Sequence, residues 1–282
     1  MHLLPERKPS RIIEWKQHLL PHCSRAECTT SSGWSGVLHH DSGVRLNQQD
    51  WFCSPACLEG ALRDRLLSSF EHESGPAPVR TTMPLGLMLL ARGAISNLEL
   101  RAALDLQQAT GERIGACLMR LSSISAGDIA SVVATQWGCP VFPADSIQPA
   151  CSMLLPFSLV ERYRMLPVHL VALGRRLFVG FCEKVNHTAL IAIEQMLGCE
   201  TEPCVIPEPK FHQMLDYRKL DTSGEVAVTR PETASEVARM IRSYVQQTAA
   251  EAVRVYALEG NIWARLLFRH SHLDLVFVHP PA

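Results

Sequence analysis

The stretch PLGLMLLARGAISNLELRAALDLQ, residues 84–107, is written a second time 29 residues later as RIGACLMRLSSISAGDIASVVATQ, residues 113–136. Gly86 aligns with Gly115, Leu89 with Leu118, Ile95 with Ile124, Ser96 with Ser125 and Gln107 with Gln136. In each copy apolar residues recur at helical spacing, stop at a small residue and resume. In copy one Leu85, Leu89 and Leu90 form a short apolar face, and Gly93 ends it as a residue free to turn left-handed. Ile95 is placed as a staple, Ser96 caps with Glu99 three residues on, and Leu98, Ala102, Leu104 and Leu106 continue a longer helix. Copy two repeats this with Ile114, Leu118 and Leu121, the staple Ile124, the cap Ser125 with Asp128, and then Ile129, Val132 and Val133. Ser122 stands where copy one has Gly93, so a left-handed turn there is expected to cost on the order of 1 kcal/mol. Two helix pairs with one apolar face each are expected to bury those faces on each other as a four-helix unit of pseudo-twofold character.

Four of the ten cysteines cluster near the N-terminus: Cys23 and Cys28 as C-x4-C, then 24 residues, then Cys53 and Cys57 as C-x3-C. Two paired turns can supply four soft ligands at tetrahedral corners, which is what zinc takes. The second pair opens a helix, with Ser54 able to cap, Pro55 fitting the first turn, and Leu58, Ala61, Leu62 and Leu66 at helical spacing. The intervening GVLHHDSGVRLNQQDWF reads as a hairpin turning at Asp41-Ser42-Gly43. His22, His39 and His40 are rival ligands. Knuckle, hairpin and helix over roughly residues 20–70 resemble a treble-clef zinc ribbon, which implies one structural zinc, since four protein ligands leave no position for a catalytic water. Cys117, Cys139, Cys151, Cys182, Cys199 and Cys204 sit singly in apolar runs and read as buried free thiols.

Two polar stretches read as linkers, residues 71–82 with Gly75, Pro76 and Pro78, and residues 221–232. Between the repeat and the second linker come a strand at Arg176–Phe181, a helix with Leu190, Ile193 and Met196 closed by Gly198, a strand near Thr201–Ile206 and a last helix in PKFHQMLDYR. Beyond it, a helix over Ser235–Thr248 precedes three short strands, AVRVYAL, NIWARLLF and LDLVFV, with a turn at Glu259-Gly260-Asn261. The chain is thus expected to be an α+β multidomain protein: a four-cysteine zinc module (1–70), a tandem helix-pair bundle (83–145), a small α/β subdomain (146–220) and a C-terminal helix with β-strands (233–282).

The tandem string R-[LI]-G-x-x-L-x-x-x-G-x-[IL]-[ST]-x-x-x-L-x-x-A-L-x-x-Q resembles the N-terminal domain of type II secretion and type IV pilus assembly ATPases, and the order of motifs keeps to that family over roughly residues 82–220. In that family the tandem motif can bind cyclic di-GMP, with one motif on each side of the ligand. The resemblance implies a ligand set of Leu85, Gly86, Leu89, Gly93, Ile95, Leu104 and Gln107 from copy one, and Arg113, Ile114, Gly115, Leu118, Ile124 and Gln136 from copy two. It also implies partners in the secretion or pilus machinery, because this domain docks there on an inner-membrane platform. The motif is worn: copy one has Pro84 at the arginine position, with Arg80 nearby, and copy two has Ser122 for the second glycine. Where the family usually has Asp-Pro after the first strand, this chain has Glu183-Lys184-Val185.

No Gly-Lys dipeptide occurs, so the P-loop of a motor ATPase is absent from the sequence, and no H-E-x-x-H, G-x-S-x-G or G-x-G-x-x-G is present. His169, His187 and His212 lie among apolar or helical residues and read as structural. With a net charge of −1 and sparse charge between Cys23 and Cys57, a nucleic-acid role for the zinc module is disfavoured. The N-terminus lacks the apolar core of a signal peptide and no apolar run reaches membrane-spanning length, so a cytoplasmic protein without membrane insertion is expected. The expected role is a non-catalytic regulator or adaptor of a secretion or pilus system sensing cyclic di-GMP. The rivals are a pure protein-interaction scaffold with no nucleotide and, more weakly, a zinc-module nucleic-acid binder.

Overall fold

Both capping boxes form as the sequence requires. Ser96 accepts from the Glu99 N–H and Ser125 from the Asp128 N–H, while each carboxylate reaches back to its serine's N–H. They open α3 (Asn97–Thr110) and α5 (Ala126–Trp137), which follow the short helices α2 (Leu85–Ala91) and α4 (Ile114–Leu121). Gly111 and Gly138 close the long helices in the left-handed conformation. The copies interlock: α3 lies mainly on α4 of the other copy, and α5 on α2. One core results, from Leu89, Ile95, Leu100 and Ala103 of copy one and Cys117, Leu118, Ile124 and Val132 of copy two. Gly93 is left-handed at φ 68, but Ser122 is not: it sits extended at φ −133 with its hydroxyl on the Leu118 carbonyl at 2.7 Å. The serine rebuilds the turn and avoids the strain expected of it.

The structure, a computed structural model, describes residues 22–28, 43–71, 83–171, 173, 175–219, 225–229, 231, 233–259, 261–269 and 271–278. It divides into two compact units, one of Ser74–Ala227 and one assembled from Met1–Glu73 and Val228–Ala282. In the first, two 3-10 turns (Ala144–Ser146 and Pro149–Leu154) and α6 (Phe157–Tyr163) lead from the repeat into a three-stranded sheet. Its strands β3 (Met165–Val171), β4 (Arg176–Phe181) and β5 (Glu200–Val205) are ordered β3-β4-β5. The β3–β4 pair is antiparallel, with a register shift between Pro167 and His169. β4 and β5 are parallel, joined by α7 (His187–Leu197), which Gly198 closes. After β5 comes α8 (Glu208–Lys219). Copy two carries this sheet: Ala130, Val133 and Ala134 pack with Val205. The matching positions in copy one are Arg101, Leu104 and Asp105, all exposed. The repeat is therefore symmetric in its core and asymmetric on its back.

The second unit departs from four modules in a row. The hairpin β1 (Val44–Leu46) and β2 (Asp50–Phe52) precedes α1 (Pro55–Glu71). Its described turn is Asn47–Gln49, with Asn47 and Gln48 at φ 49 and 68; Asp41 and Ser42 of the expected turn lie outside the described residues. The C-terminal part holds α9 (Ala234–Thr248), β7 (Ala252–Leu258), β8 (Asn261–Phe268) and β9 (Ser271–Val278), and β6 (Glu225–Thr229) runs across the boundary at Ala227. Together they make one six-stranded sheet, β2-β1-β7-β8-β9-β6, in which β1 runs parallel to β7. The stretch 221–232, read from sequence as a linker, thus contains an edge strand. In residues 83–227 its first residue has a second duty, since the Glu225 carboxylate accepts from the Phe157 and Ser158 N–H groups that open α6.

Inside the large sheet Arg265 and Asp274 are buried, 5% and 3% exposed. Asp274 accepts from Arg265 Nε and an η-nitrogen, both at 2.7 Å, and from the Trp263 indole at 2.8 Å. Removing one partner strands a buried charge. Asp274→Ala should cost about 3–5 kcal/mol in urea unfolding, and replacing both residues with apolar ones of similar size should recover most of it.

The capping carboxylates give a second test. Ser96 N–H and hydroxyl hold Glu99 below its ordinary value of 4.5, and the Ser125 hydroxyl and N–H hold Asp128 below 3.8. A depressed folded value means stability that is full above the unfolded value and lost as pH falls through the folded one. The Ser96→Ala, Ser125→Ala double variant should therefore lower the thermal midpoint near neutrality and narrow its gap to wild type below those values.

Candidate functional site

Residues 22–28 are pinned to the hairpin by Ser24, whose N–H donates to the Trp51 carbonyl at 2.8 Å and whose hydroxyl accepts from the Trp51 N–H at 3.1 Å. This sets Cys23 and Cys28 beside Cys53, and the Cys28 N–H closes the knuckle on the Arg25 carbonyl. Ser54 accepts from the Cys57 N–H at 3.3 Å, so Cys53 and Cys57 flank the first turn of α1. All four sulfurs lie within 4.8 Å of one another. Cys28–Cys53 is 3.5 Å, and Cys53–Cys57 and Cys57–Cys28 are each 3.8 Å. A tetrahedron with metal–sulfur bonds of about 2.3 Å has edges of about 3.8 Å, so the sulfur positions fit a zinc-sized ion. Burial, then hydrogen bonds from the neighbouring thiols, push Cys53 up to about 12, and burial also raises Cys57. A coordinated divalent cation reverses that order, because a thiol bound to it is deprotonated outright.

His22 is exposed and outside this group of ligand atoms, while His39 and His40 lie outside the described residues. Among the described residues these four cysteines are the one such metal-sized group. The remaining six cysteines are free, and burial raises the thiols of Cys139, Cys151, Cys182, Cys199 and Cys204, the last to about 12. Purified chain should carry about one equivalent of zinc by elemental analysis. Cys53→Ser should lose it, and acidification should release it, since the ligands must be deprotonated.

The repeat brings only part of the expected ligand set to the surface. Leu89, Ile95, Leu118 and Ile124 are buried in the shared core. Leu85 and Ile114 pack against that core half-buried, and Gly86 and Gly115 are buried beneath. Leu104 and Gly93 are exposed, and Gln107 is half-buried. Gln136 donates from Nε2 to the Met83 carbonyl at 2.9 Å, tying copy two to the entry of copy one. The glycines differ in what they permit. A Cβ on Gly86 would meet Leu100 Cδ1 at 2.5 Å, whereas one on Gly115 would find Ile129 and Leu85 at ordinary contact, 3.6–3.8 Å. A side chain at Gly86 would therefore push the Leu100 tip aside, while one at Gly115 would meet only ordinary contacts.

Arg113 is the residue just before α4, the place Pro84 takes before α2. Its guanidinium pairs with Glu183 and, at 3.3 Å, with Glu208. Arg164 joins the same two carboxylates, at 3.1 Å to Glu183 and 2.6 Å to Glu208, and lies over the Phe211 ring. His212 is 3.5 Å from Glu208. Glu183 belongs to the loop where the sequence departs from Asp-Pro. No motif or spacing points to Arg164, which ends α6 in the left-handed conformation at φ 47. Beside this cluster a recess is lined by residues that include Met119, Ile129, Cys182, Ile206 and Glu208. No helix among the described residues is long and apolar enough to cross a membrane.

The chain is similar to a pilus assembly ATPase over half its length. The type IV pilus assembly ATPase PilB of Myxococcus xanthus (strain DK1622) is 25% identical over 162 residues, covering 53% of this chain and 28% of PilB. The chain thus spans little more than a quarter of that relative. MshE, solved with cyclic di-GMP, is 25% identical with a TM-score of 0.39, covering 48% of this chain and 98% of the solved one. The N-terminal domain of XpsE is 22% identical with a TM-score of 0.29, covering 45% and 89%. No protein-family model matches the chain.

Proposed function

We propose that this chain is a non-catalytic regulator or adaptor of a secretion or pilus system, working through the tandem repeat. The observation that carries this is the coincidence of two complete helix–turn–helix copies, interlocked through one core, with the 162-residue match to a pilus assembly ATPase. The zinc-type centre is structural in this reading. Arg113 and Gly115 supply the retained ligand-side chemistry. A guanidinium can stack on guanine or pair with phosphate, and a helix start without a Cβ lets a ligand approach the backbone. Cyclic di-GMP is the proposed ligand, held against the repeat so that it fixes the angle between the helix pairs.

A second reading, a protein-interaction scaffold that binds no nucleotide, is favoured by two contacts. Arg113 is already engaged by Glu183 and Glu208, and Gln136 by a backbone carbonyl. Calorimetry with cyclic di-GMP separates the two. A ligand at 100 times its dissociation constant adds about 2.7 kcal/mol of stability, so neither heat nor thermal shift at about 100 μM would leave the scaffold. Gly115→Ala sharpens the result: the added methyl fits and a helical glycine is replaced, so the variant should hold its stability or gain up to about 1 kcal/mol. It should nonetheless lose nucleotide binding if the backbone approach is used.

A further inference from the structure

We propose that the four-cysteine centre, loaded with a divalent metal, is a clasp that decides whether the β7 edge of the C-terminal sheet is covered or open. The proposal rests on the metal reading of Cys23, Cys28, Cys53 and Cys57. The cysteines organise the knuckle, the hairpin turned at Asn47–Gln49 and the start of α1, and each of the last two is docked on the other end of the chain.

The hairpin docks through its backbone and one side chain. The Arg45 N–H donates to the Glu251 carbonyl at 3.0 Å and the Asn47 N–H to the Val253 carbonyl at 2.9 Å. The Asn47 amide then imitates one more residue of strand: Oδ1 accepts from the Val255 N–H at 2.8 Å and Nδ2 donates to the Val255 carbonyl at 3.3 Å. The left-handed backbone of Asn47 bends the main chain away at the point where its side chain takes over the pairing. Helix α1 docks on α9: Leu58, Leu62 and Leu66 are buried, as are Val237, Ile241 and Val245, and Arg242 pairs with Glu59 at 2.7 Å.

The hairpin is the smaller of the two docking elements. β1 and β2 have three residues each, and an isolated hairpin is marginal in water. Ligation of the sulfurs contributes its free energy to the folding of this piece. Without it the hairpin loses its fixed register and releases from β7, and α1 loses its ordered first turn. The edge of β7 that the hairpin covers is then open. Loading and unloading of the cysteines thereby control a surface far removed from them in sequence.

Hydrogen exchange on the full chain tests this, with metal content counted on each sample. The Val255 amide is the reporter, because its acceptor is the Asn47 side chain. Chelation should speed exchange at Val255, Arg45 and Asn47 by at least about tenfold, leave Glu99 and Asp128 protected, and be reversed by zinc. Asn47→Ala should speed Val255 alone while the metal count stays at wild type, which validates the reporter without disturbing the cysteines. A chelated, metal-free chain that keeps Val255 protected overturns the clasp and leaves the metal reading intact. A chain that neither contains nor takes up metal overturns both.

Discussion

A 24-residue helix pair with a single apolar face cannot cover that face by itself, and the rest of residues 83–137 follows from this. Leu89 and Leu118 are fully buried because each copy lends its short helix to the long helix of the other. The turns, caps and glycines then serve the crossing. Gly86 leaves room for the Leu100 tip, and Gln136 ties off the seam at Met83. Symmetry ends where copy two must also support a sheet, and there Arg101, Leu104 and Asp105 of copy one give way to Ala130, Val133 and Ala134.

What could be read from the sequence was local. Ser96 with Glu99 and Ser125 with Asp128 announce their helices within four residues, and the pairing of Cys23 and Cys28 with Cys53 and Cys57 announces their convergence. What could not be read was the pairing of remote segments. Nothing near Val44–Leu46 says that it runs parallel to a strand that begins at Ala252. Glu225–Thr229 sits in a polar stretch and becomes a strand because β9 offers it an edge. Ser122 misleads for a different reason. Alignment with Gly93 implies one backbone conformation, and the hydroxyl supplies another by bonding to the Leu118 carbonyl.

The candidate ligand residues divide in the same way. Apolar motif positions such as Leu89 and Ile124 are explained by the core, whether or not anything binds. Arg113 and Gly115 are not explained by the core, and the proposed ligand reading rests on them. The carboxylates of Glu183 and Glu208 now share Arg113 with Arg164, so an incoming phosphate or base would have to exchange with them. Those partners come from loops and helix starts far along the chain, where spacing carries no signal.

One unit of this protein is interrupted by the other, and synthesis runs in one direction. Asn47 leaves the ribosome 208 residues before Val255. At about 5–20 residues per second that is a wait of roughly 10 to 40 seconds. During this interval residues 74–227 are made and completed, 28 residues before Val255, while the cysteine knuckle, the hairpin and α1 have nothing to dock on. The early segment therefore emerges with four thiols close together in sequence and its partner strand β7 still unmade.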